Sequence, residues 1–290
     1  MGPVVVIAAG EMGAAVGGRL NEQGAEVRTS LAGRSAKTAE RARRHGLIAL
    51  DDDARLVEDA AFVLSIVPPA EAVPLARRLA AALADSRAKP IYVDCNAVSP
   101  ETVGDVATAI ERTGCAFVDA GIIGAPPRPG TPGPKFYACG PAAARFAALR
   151  EHGLDVRTID GKIGTASALK MAYGSITKGF TAIGAAAMLG ATKAGVAELF
   201  KRELADSQPA LKAWLERQMP NVYAKAYRWV AEMEEVSGFV GEASPSAQMF
   251  KGVARLYQEL ARSYEGDRRE IEALAKFVKD QAVRPRDRAD

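Results

Sequence analysis

The chain has 290 residues, of which 48% are hydrophobic, and its 38 basic and 35 acidic side chains give a net charge of +3. This composition is typical of a soluble globular protein, and it excludes the strongly basic surface by which proteins bind nucleic acids. Three cysteines without CxxC spacing, and no apolar run long enough to span a bilayer, predict a cytoplasmic protein with no structural metal and no membrane partner.

Short apolar runs alternate with helical patterns from residue 3 to about 160. The predicted strands are Val4–Ala8, Glu26–Ser30, Phe62–Val67, Ile91–Asp94, Ala116–Asp119, Phe136–Cys139 and Val156–Ile159. The predicted helices are Ala14–Gln23, Ala36–His45, Asp53–Glu58, Ala70–Leu83, Pro100–Arg112 and Ala142–His152. This alternation predicts an α/β domain over residues 1–162, built on a doubly wound, mostly parallel sheet.

The pattern changes after this domain, because no convincing strand follows. Helical stretches continue, and we expect breaks near Gly190, Pro220, Ser237–Gly241 and Gly266. Residues 163–282 are therefore predicted to form an all-α domain. The last segment, 283–290, is charged and interrupted by proline, which predicts a disordered tail.

The first strand leads through small residues into a helix, which is the frame of the dinucleotide-binding fingerprint GxGxxG. The segment reads Ala8-Ala9-Gly10-Glu11-Met12-Gly13, so that the second and third glycines are present and Ala8 replaces the first. Gly10 would let a pyrophosphate approach the backbone, and Gly13 would let the helix pack on the strand. The phosphates would lie at the helix N-terminus, beside Glu11 and Met12. An ordinary tight turn between strand and helix is the alternative.

The end of the second strand indicates which dinucleotide is bound. An acid at this position binds the ribose hydroxyls of NAD, but no acid occurs between Glu26 and Glu40. Arg34, Ser35 and Lys37 instead open the next helix, and together they make a phosphate site. We therefore predict NADP as the cofactor. A capped helix with solvated basic residues is the alternative.

Two further strand ends lie at the edge of the sheet where ligands bind. Val67 ends one predicted strand and Pro68 follows it, and both are predicted to border the cofactor. Asn96 follows the next strand, and its amide could meet the carboxamide of a nicotinamide. Hydrogen bonding to the loop backbone is an equally good role for Asn96.

The helix predicted to leave the first domain carries two lysines at helical spacing. Lys170, Gly174, Thr177 and Lys178 are separated by three or four residues and share one face. Partial burial and a neighbouring cation lower the pKa of a lysine, which suits acid–base chemistry. A solvated face with extended lysine side chains is the alternative.

These segments together resemble the β-hydroxyacid dehydrogenases, a family that includes 3-hydroxyisobutyrate dehydrogenase and is related to 6-phosphogluconate dehydrogenase. The resemblance runs in matching order through Ala8–Gly13, Arg34, Asp94–Pro100 and Lys170. It implies an N-terminal Rossmann domain, an all-α C-terminal domain and a long helix between them. It also implies that the lysine on that helix, Lys170, is the general acid/base.

The chain departs from the family pattern at two substrate contacts. The family segment DxPVSGG reads Asp119-Ala120-Gly121-Ile122-Ile123-Gly124-Ala125, so Ile123 replaces the serine that helps hold a substrate carboxylate, while Gly124 remains. The family's asparagine four residues after the lysine is Gly174. The resemblance therefore implies a more apolar pocket, or one in which Thr177 and Lys178 replace the lost groups.

The sequence thus predicts an NADP-dependent oxidoreductase that transfers a hydride between the nicotinamide and a hydroxy acid or a related alcohol or carbonyl substrate. An imine reductase of the same architecture and a non-catalytic NADP-binding sensor are the alternatives. Glycine is unfavourable within a helix, so Gly174, Gly179 and Gly184 indicate close approach of another helix or a ligand. Family members commonly dimerise through the helical domain, and we therefore expect a homodimer.

Overall fold

The computed structural model describes residues 1–278 and contains one sheet of eight strands, in the order β3-β2-β1-β4-β5-β6-β7-β8. The strands are β1 (Val4–Ile7), β2 (Val27–Thr29), β3 (Ile48–Ala49), β4 (Phe62–Ser65), β5 (Ile91–Asp94), β6 (Phe117–Ile123), β7 (Lys135–Cys139) and β8 (Asp155–Thr158). All neighbouring strands are parallel except β6 and β7. The predicted doubly wound, mostly parallel sheet is confirmed.

Helices alternate with the strands in the first part of the chain, and after β8 the described residues form helices only. The helices of the first part are α1 (Glu11–Glu22), α2 (Ala36–Arg44), α3 (Asp53–Val57), α4 (Ala72–Asp85), α5 (Pro100–Glu111) and α6 (Ala143–Phe146), with 3₁₀ turns at Pro69–Glu71 and Ala147–His152. The later helices are α7 (Thr165–Lys193), α8 (Ala197–Ser207), α9 (Pro209–Phe239), α10 (Pro245–Glu265) and α11 (Arg269–Val278). The predicted helical C-terminal region is confirmed.

Side chains of the central strands are buried on both faces of the sheet. Val4 and Val6 face one hydrophobic core, whereas Val5 and Ile7 face the other, as the two-residue period of a strand requires. Burial on both faces explains why β1 is a continuous run of β-branched residues rather than an alternating one.

Several sequence predictions need correction. The short β3 was missed because its two residues, Ile48 and Ala49, are exposed and carry no burial pattern. The strand β6 continues to Ile123 rather than ending at Asp119, because the segment pairs with β7 through to Lys135. Helix α9 passes through Pro220 without a break, since the adjacent Met219 and Val222 are fully buried and hold the helix in place.

The chain divides into two compact units, and the division falls inside helix α7, between Met171 and Ala172. The predicted boundary at residue 162 lies just before that helix. The first turns of α7 belong to the first unit because they pack on the sheet. The second unit consists of the remaining part of α7 together with the helices that follow, among which α9 and α10 pack extensively.

Three further predictions concern membrane-spanning segments, the cysteines and the C-terminal tail. Among the described helices, none is both long and apolar enough to cross a membrane. The three cysteines, Cys95, Cys115 and Cys139, are buried and form no disulfide. The predicted tail at 283–290 lies outside the described residues.

Candidate dinucleotide-binding and catalytic site

The turn between β1 and α1 has the geometry that a phosphate-binding turn requires. Helix α1 begins at Glu11, with Gly10 as its N-cap in an extended conformation, three residues before the predicted start. A Cβ atom on Gly13 would lie 2.0 Å from the carbonyl oxygen of Ala8, so only glycine allows the helix to pack this closely on the strand. The order of the sheet reverses between β1 and β4, so this turn lies at the switch point where dinucleotides bind.

Two observations test whether these residues fit a dinucleotide. A Cβ atom built on Gly10 meets no atom within 4 Å, so the backbone at the start of α1 is open to a ligand. The hydroxyl of Ser30, which follows β2, is buried and has no hydrogen-bond partner among the described residues. The end of β2 is where dinucleotide-binding folds hold the adenosine ribose. The open backbone at Gly10 and the buried Ser30 hydroxyl therefore both fit a dinucleotide.

The loop after β2 presents the predicted basic residues to solvent. Gly33 adopts a left-handed conformation (φ 68°), and Ser35 caps helix α2 by accepting a hydrogen bond from the Thr38 amide. Arg34 and Lys37 are exposed, and within the described part of the chain neither forms an ion pair. The nearest acid along the helix, Glu40, is occupied by other arginines. The positive charges of the loop are thus not neutralised by the protein.

Arg41 joins this loop to the fingerprint turn, a role that the sequence analysis missed. Its guanidinium donates a hydrogen bond of 3.3 Å to the carbonyl oxygen of Ala9. Arg41 lies one and a half turns into α2 in a run of basic residues, and no spacing in the sequence distinguishes it from its neighbours. The contact places a further cation, in addition to the predicted Arg34 and Lys37, beside the fingerprint turn.

Asn96 holds the ends of β4 and β5 together. Its amide nitrogen donates to Ser65 Oγ (2.8 Å) and Asp94 Oδ2 (2.7 Å), and its Oδ1 accepts from the Val67 backbone amide (2.7 Å). Both amide hydrogens are therefore used within the protein. Of the two roles left open by the sequence, the structure shows the backbone-binding one, and it fixes Val67, and with it the chain leading to Pro68, at the edge of the sheet.

Lys170 lies on the first turns of α7, against β6. Its ammonium donates a hydrogen bond to the carbonyl oxygen of Ile122, near the carboxyl end of that strand. A Cβ atom on Gly121 would lie 2.9 Å from the Ala166 carbonyl oxygen and 3.3 Å from Lys170 Cβ, so the helix approaches the strand at this glycine. The predicted general acid/base is thus held at the edge of the sheet where ligands bind.

A fully buried carboxylate anchors the start of the same helix. Asp119 on β6 accepts hydrogen bonds from the backbone amides of Gly164, Ala166 and Ser167 and from the Ser167 hydroxyl. The Cys139 thiol donates to the same carboxylate, and burial together with the Asp119 charge raises the pKa of this thiol to about 11. The thiol therefore remains protonated at neutral pH and can serve as a donor.

The predicted substrate segment is the last part of β6 and the residue that follows it. Ile123 is half-buried and pairs with Lys135 on β7. Gly124 has φ 132°, and a Cβ atom there would lie 3.0 Å from Pro134 Cα, so glycine is required where the proline-rich loop begins. No polar side chain stands at position 123 to bind a substrate carboxylate.

The other predicted substrate residues belong to the second unit. A Cβ atom on Gly174 meets no atom within 4 Å, so the missing asparagine leaves open space. The Thr177 hydroxyl donates to the Tyr173 carbonyl oxygen at 2.9 Å, within its own helix. The Lys178 ammonium forms an ion pair with Glu232, and their side chains are only 16% and 13% exposed. The sequence did not indicate Glu232, because the two residues are distant in the chain.

Comparison with known proteins places this geometry in a family. Residues 3–150 match the model of the NAD binding domain of 6-phosphogluconate dehydrogenase, and residues 191–260 match a domain of unknown function, DUF1932. The chain belongs to a divergent branch of the β-hydroxyacid dehydrogenase-like family. The predicted resemblance is therefore confirmed, and the turn at Ala8–Gly13 lies inside the NAD-binding domain of this family member.

Two proteins that are similar to this chain are named without an activity. It is 34% identical over 158 residues to an uncharacterized 28.5 kDa protein of Methanothermus fervidus, a match that covers 54% of this chain and only 59% of that relative. It is 31% identical to the conserved protein MTH1747, described as of unknown function and structurally similar to 3-hydroxyacid dehydrogenases, with a TM-score of 0.64. That match covers 91% of this chain and 98% of the other.

More distant structures share the fold of this family member. The 3-hydroxyisobutyrate dehydrogenase of Mycobacterium tuberculosis is 18% identical, with a TM-score of 0.61 and coverage of 97% of this chain and 100% of the other. The imine reductase of Myxococcus stipitatus in complex with NADP⁺ is also 18% identical, with a TM-score of 0.53 and coverage of 95% and 99%.

Proposed function

We propose that the protein is an NADP-dependent oxidoreductase that transfers a hydride between the nicotinamide and a hydroxy acid or a related alcohol or carbonyl substrate. The observation that carries this proposal is the position of the Lys170 ammonium on the Ile122 carbonyl oxygen, near the carboxyl end of β6. Ligands of open α/β sheets bind outside the carboxyl ends of the strands, so this amine lies at the edge where a substrate would react.

Lys170 would move the proton of the reaction. In the oxidative direction its neutral amine takes the proton of the substrate hydroxyl, and in reduction its ammonium protonates the forming alkoxide. NADP, when bound, accepts or supplies the hydride. Proton transfer by a positioned side chain contributes about 10²–10⁴-fold to the rate, so the lysine should matter strongly.

The preference for NADP is supported by charge. Arg34 and Lys37 are exposed cations at the start of α2, and Arg41 contacts the fingerprint turn from the same helix. These three cations could bind a 2′-phosphate. The end of β2 carries Ser30 rather than the carboxylate that would repel such a phosphate. Glu11 begins α1 on the exposed side of the turn, and Met12 packs against the core beneath it.

Substrate binding should depend less on a carboxylate group here than it does in dehydrogenases that act on hydroxy acids. Ile123 and Gly174 offer no polar side chain, and the Lys178 ammonium is paired with Glu232. These features favour imine reduction as the second candidate, and an imine reductase shares the fold. The Lys170 ammonium opposes it, because a cation disfavours the protonated iminium that accepts a hydride.

One experiment separates these functions from a non-catalytic NADP-binding sensor. Hydroxy acids, alcohols, ketones and imines are tested with NADPH or NADP⁺ and with NADH or NAD⁺, using the wild type and Lys170→Met. We expect turnover of a carbon–oxygen substrate with the phosphorylated cofactor, and a loss of kcat of about 10²-fold or more in Lys170→Met. Turnover of imines alone supports the second candidate, and cofactor binding without any turnover supports the sensor.

We also propose that the protein is a cytoplasmic homodimer. Gly179 and Gly184 do not require a second chain, because their Cβ atoms would lie 3.1 Å from Phe250 and 2.4 Å from Leu215 of the same unit. The support comes instead from exposed apolar side chains at heptad-like spacing along α7. These side chains are Leu169, Tyr173, Ile176, Phe180 and Ile183, between 39% and 70% exposed. A stripe of this kind is typical of a helix that packs on another helix.

A further inference from the structure

We infer that Asp119 is a positioning residue that determines where the Lys170 amine lies, an inference that rests on the proposed acid–base role of Lys170. Asp119 is fully buried on β6 and forms no ion pair with any lysine or arginine in the part of the chain that the structure describes. A buried charge of this kind is costly unless hydrogen bonds compensate for it, so its partners indicate its purpose.

Four of those hydrogen bonds come from the beginning of α7. Asp119 Oδ2 accepts from the backbone amides of Gly164 (2.8 Å), Ala166 (3.0 Å) and Ser167 (3.2 Å), and Oδ1 accepts from the Ser167 hydroxyl (2.8 Å). The first amides of a helix have no partner within the helix, and the helix dipole favours a negative charge at this end. The carboxylate thus takes the place of the N-cap side chain.

This cap differs from an ordinary one in its origin. A local N-cap residue, such as Ser99 at α5, lies directly before the helix whose amide it satisfies. Asp119 lies 45 residues before Gly164 and belongs to an inner strand of the sheet, between β5 and β7. The cap therefore fixes the start of α7 to β6.

The same strand fixes Lys170 at two further points. Gly121 is two residues after Asp119, so both face α7, and its missing side chain allows the helix to reach the strand. The carbonyl oxygen of Ile122 then accepts the hydrogen bond from the Lys170 ammonium. Asp119, Gly121 and Ile122 together determine the start of the helix, its distance from the sheet and the position of the amine.

The experiment compares Asp119→Asn with Asp52→Asn. Asp52 caps α3 by accepting a hydrogen bond from the Arg55 amide at 3.0 Å. Asp52→Asn is therefore a matched control, because it removes a capping carboxylate from a helix that carries no predicted site residue. A misplaced catalytic group can cost about 10²-fold, and we expect Asp119→Asn to lower kcat by about tenfold to a hundredfold. The substrate KM and the NADPH Kd should change little, and Asp52→Asn should keep the wild-type kcat.

A second readout does not depend on activity. Acetylation of lysines by a limiting amount of acetic anhydride, followed by peptide mass spectrometry, reports how accessible each amine is. We expect the labelling of Lys170 to rise several-fold in Asp119→Asn, while that of the exposed Lys37 stays constant. If Lys170→Met keeps its kcat but Asp119→Asn still exposes Lys170, the positioning inference stands and the acid–base proposal fails.

A double-mutant cycle distinguishes positioning from a general loss of structure. In the Lys170→Met background, Asp119→Asn should produce no further loss of kcat if it acts through the lysine. Equal losses in both backgrounds, or unchanged Lys170 labelling in a folded Asp119→Asn protein, would overturn the inference. If Asp119→Asn does not fold, Ser167→Ala removes one of the four hydrogen bonds and should raise Lys170 labelling to a smaller extent. Unchanged labelling in that variant would also overturn it.

Discussion

Gly13 and Ala8 approach each other so closely that a Cβ atom on Gly13 would lie 2.0 Å from the Ala8 carbonyl oxygen. A Cβ atom on Gly10, three residues earlier, would have no other atom within 4 Å. One glycine of the fingerprint is therefore required by the protein itself, whereas the other leaves room that the protein does not fill.

This difference predicts opposite effects of two alanine substitutions. Gly13→Ala should destabilise the first unit by at least about 1–3 kcal/mol, because the methyl group meets rigid backbone. Gly10→Ala should unfold like the wild type in urea but bind NADPH more weakly. Urea unfolding and NADPH titration on both variants check this. Equal stability losses, or NADPH binding unaffected by Gly10→Ala, would contradict the interpretation of the turn.

The loop after β2 provides a test of cofactor preference. Charge-assisted hydrogen bonds contribute about 1.5–3 kcal/mol, so Arg34→Ala should weaken NADPH binding by about tenfold to a hundredfold and NADH binding much less. Arg43→Ala is the matched control, since Arg43 lies on the same helix but is paired with Glu40. Isothermal titration with both cofactors measures the effect. Tighter NADH binding by the wild type, or equal losses for both cofactors in Arg34→Ala, would exclude the NADP assignment.

The Lys178–Glu232 ion pair allows the predicted substrate role of Lys178 to be tested. Both side chains are largely buried, so Lys178→Met and Glu232→Gln should each destabilise the protein by about 1–3 kcal/mol, with the double variant losing less than the sum. The more exposed pair of Lys212 and Glu216 is the control and should contribute less. If Lys178 binds substrate, Lys178→Met raises KM whereas Glu232→Gln does not. Equal KM values for both variants would leave Lys178 a structural role.

The apolar stripe on α7 predicts the assembly state. Ile176 is 70% exposed, so Ile176→Asp should not disturb the fold but should weaken a dimer formed through this face. Leu199→Asp, at a residue 63% exposed on α8, is the control. Light scattering at micromolar concentration should give twice 30.6 kDa for the wild type and the control. A wild-type mass that stays near 30.6 kDa on concentration would show a monomer.

The parts of the fold that follow from local pattern could be predicted from the sequence. The β-branched run before Gly10 and the strand at Ile91–Asp94 were predicted with nearly the observed bounds, because burial on both faces leaves a continuous apolar run. The start of α1 was placed too late, since its first turn, Glu11–Gly13, lacks the amphipathic period of the remainder. Pro220 predicts a break in the local pattern, but burial of the neighbouring Met219 and Val222 keeps α9 continuous, and that burial depends on the rest of the fold.

The residues of the candidate site also fall into those that the sequence indicates and those that only the structure reveals. Arg34, Asn96 and Lys170 could be proposed because each follows a strand end or resembles a family motif. The roles of Asp119, Arg41 and Glu232 could not be predicted, because each depends on a partner far away in the chain. Ser30 is an ordinary strand-end serine in the sequence, and only its burial without a partner distinguishes it.

The proline-rich loop between β6 and β7 is joined to helix α1 at its middle. Arg19 donates hydrogen bonds to the carbonyl oxygens of Arg128 (3.0 Å) and Thr131 (3.1 Å). One side of the loop therefore continues the strand that carries Ile122, and its tip is attached to the helix that begins at the fingerprint turn. Insertions or deletions in this loop, usually the most tolerant kind of segment, would here strain both helix α1 and the strand whose Ile122 carbonyl oxygen holds Lys170.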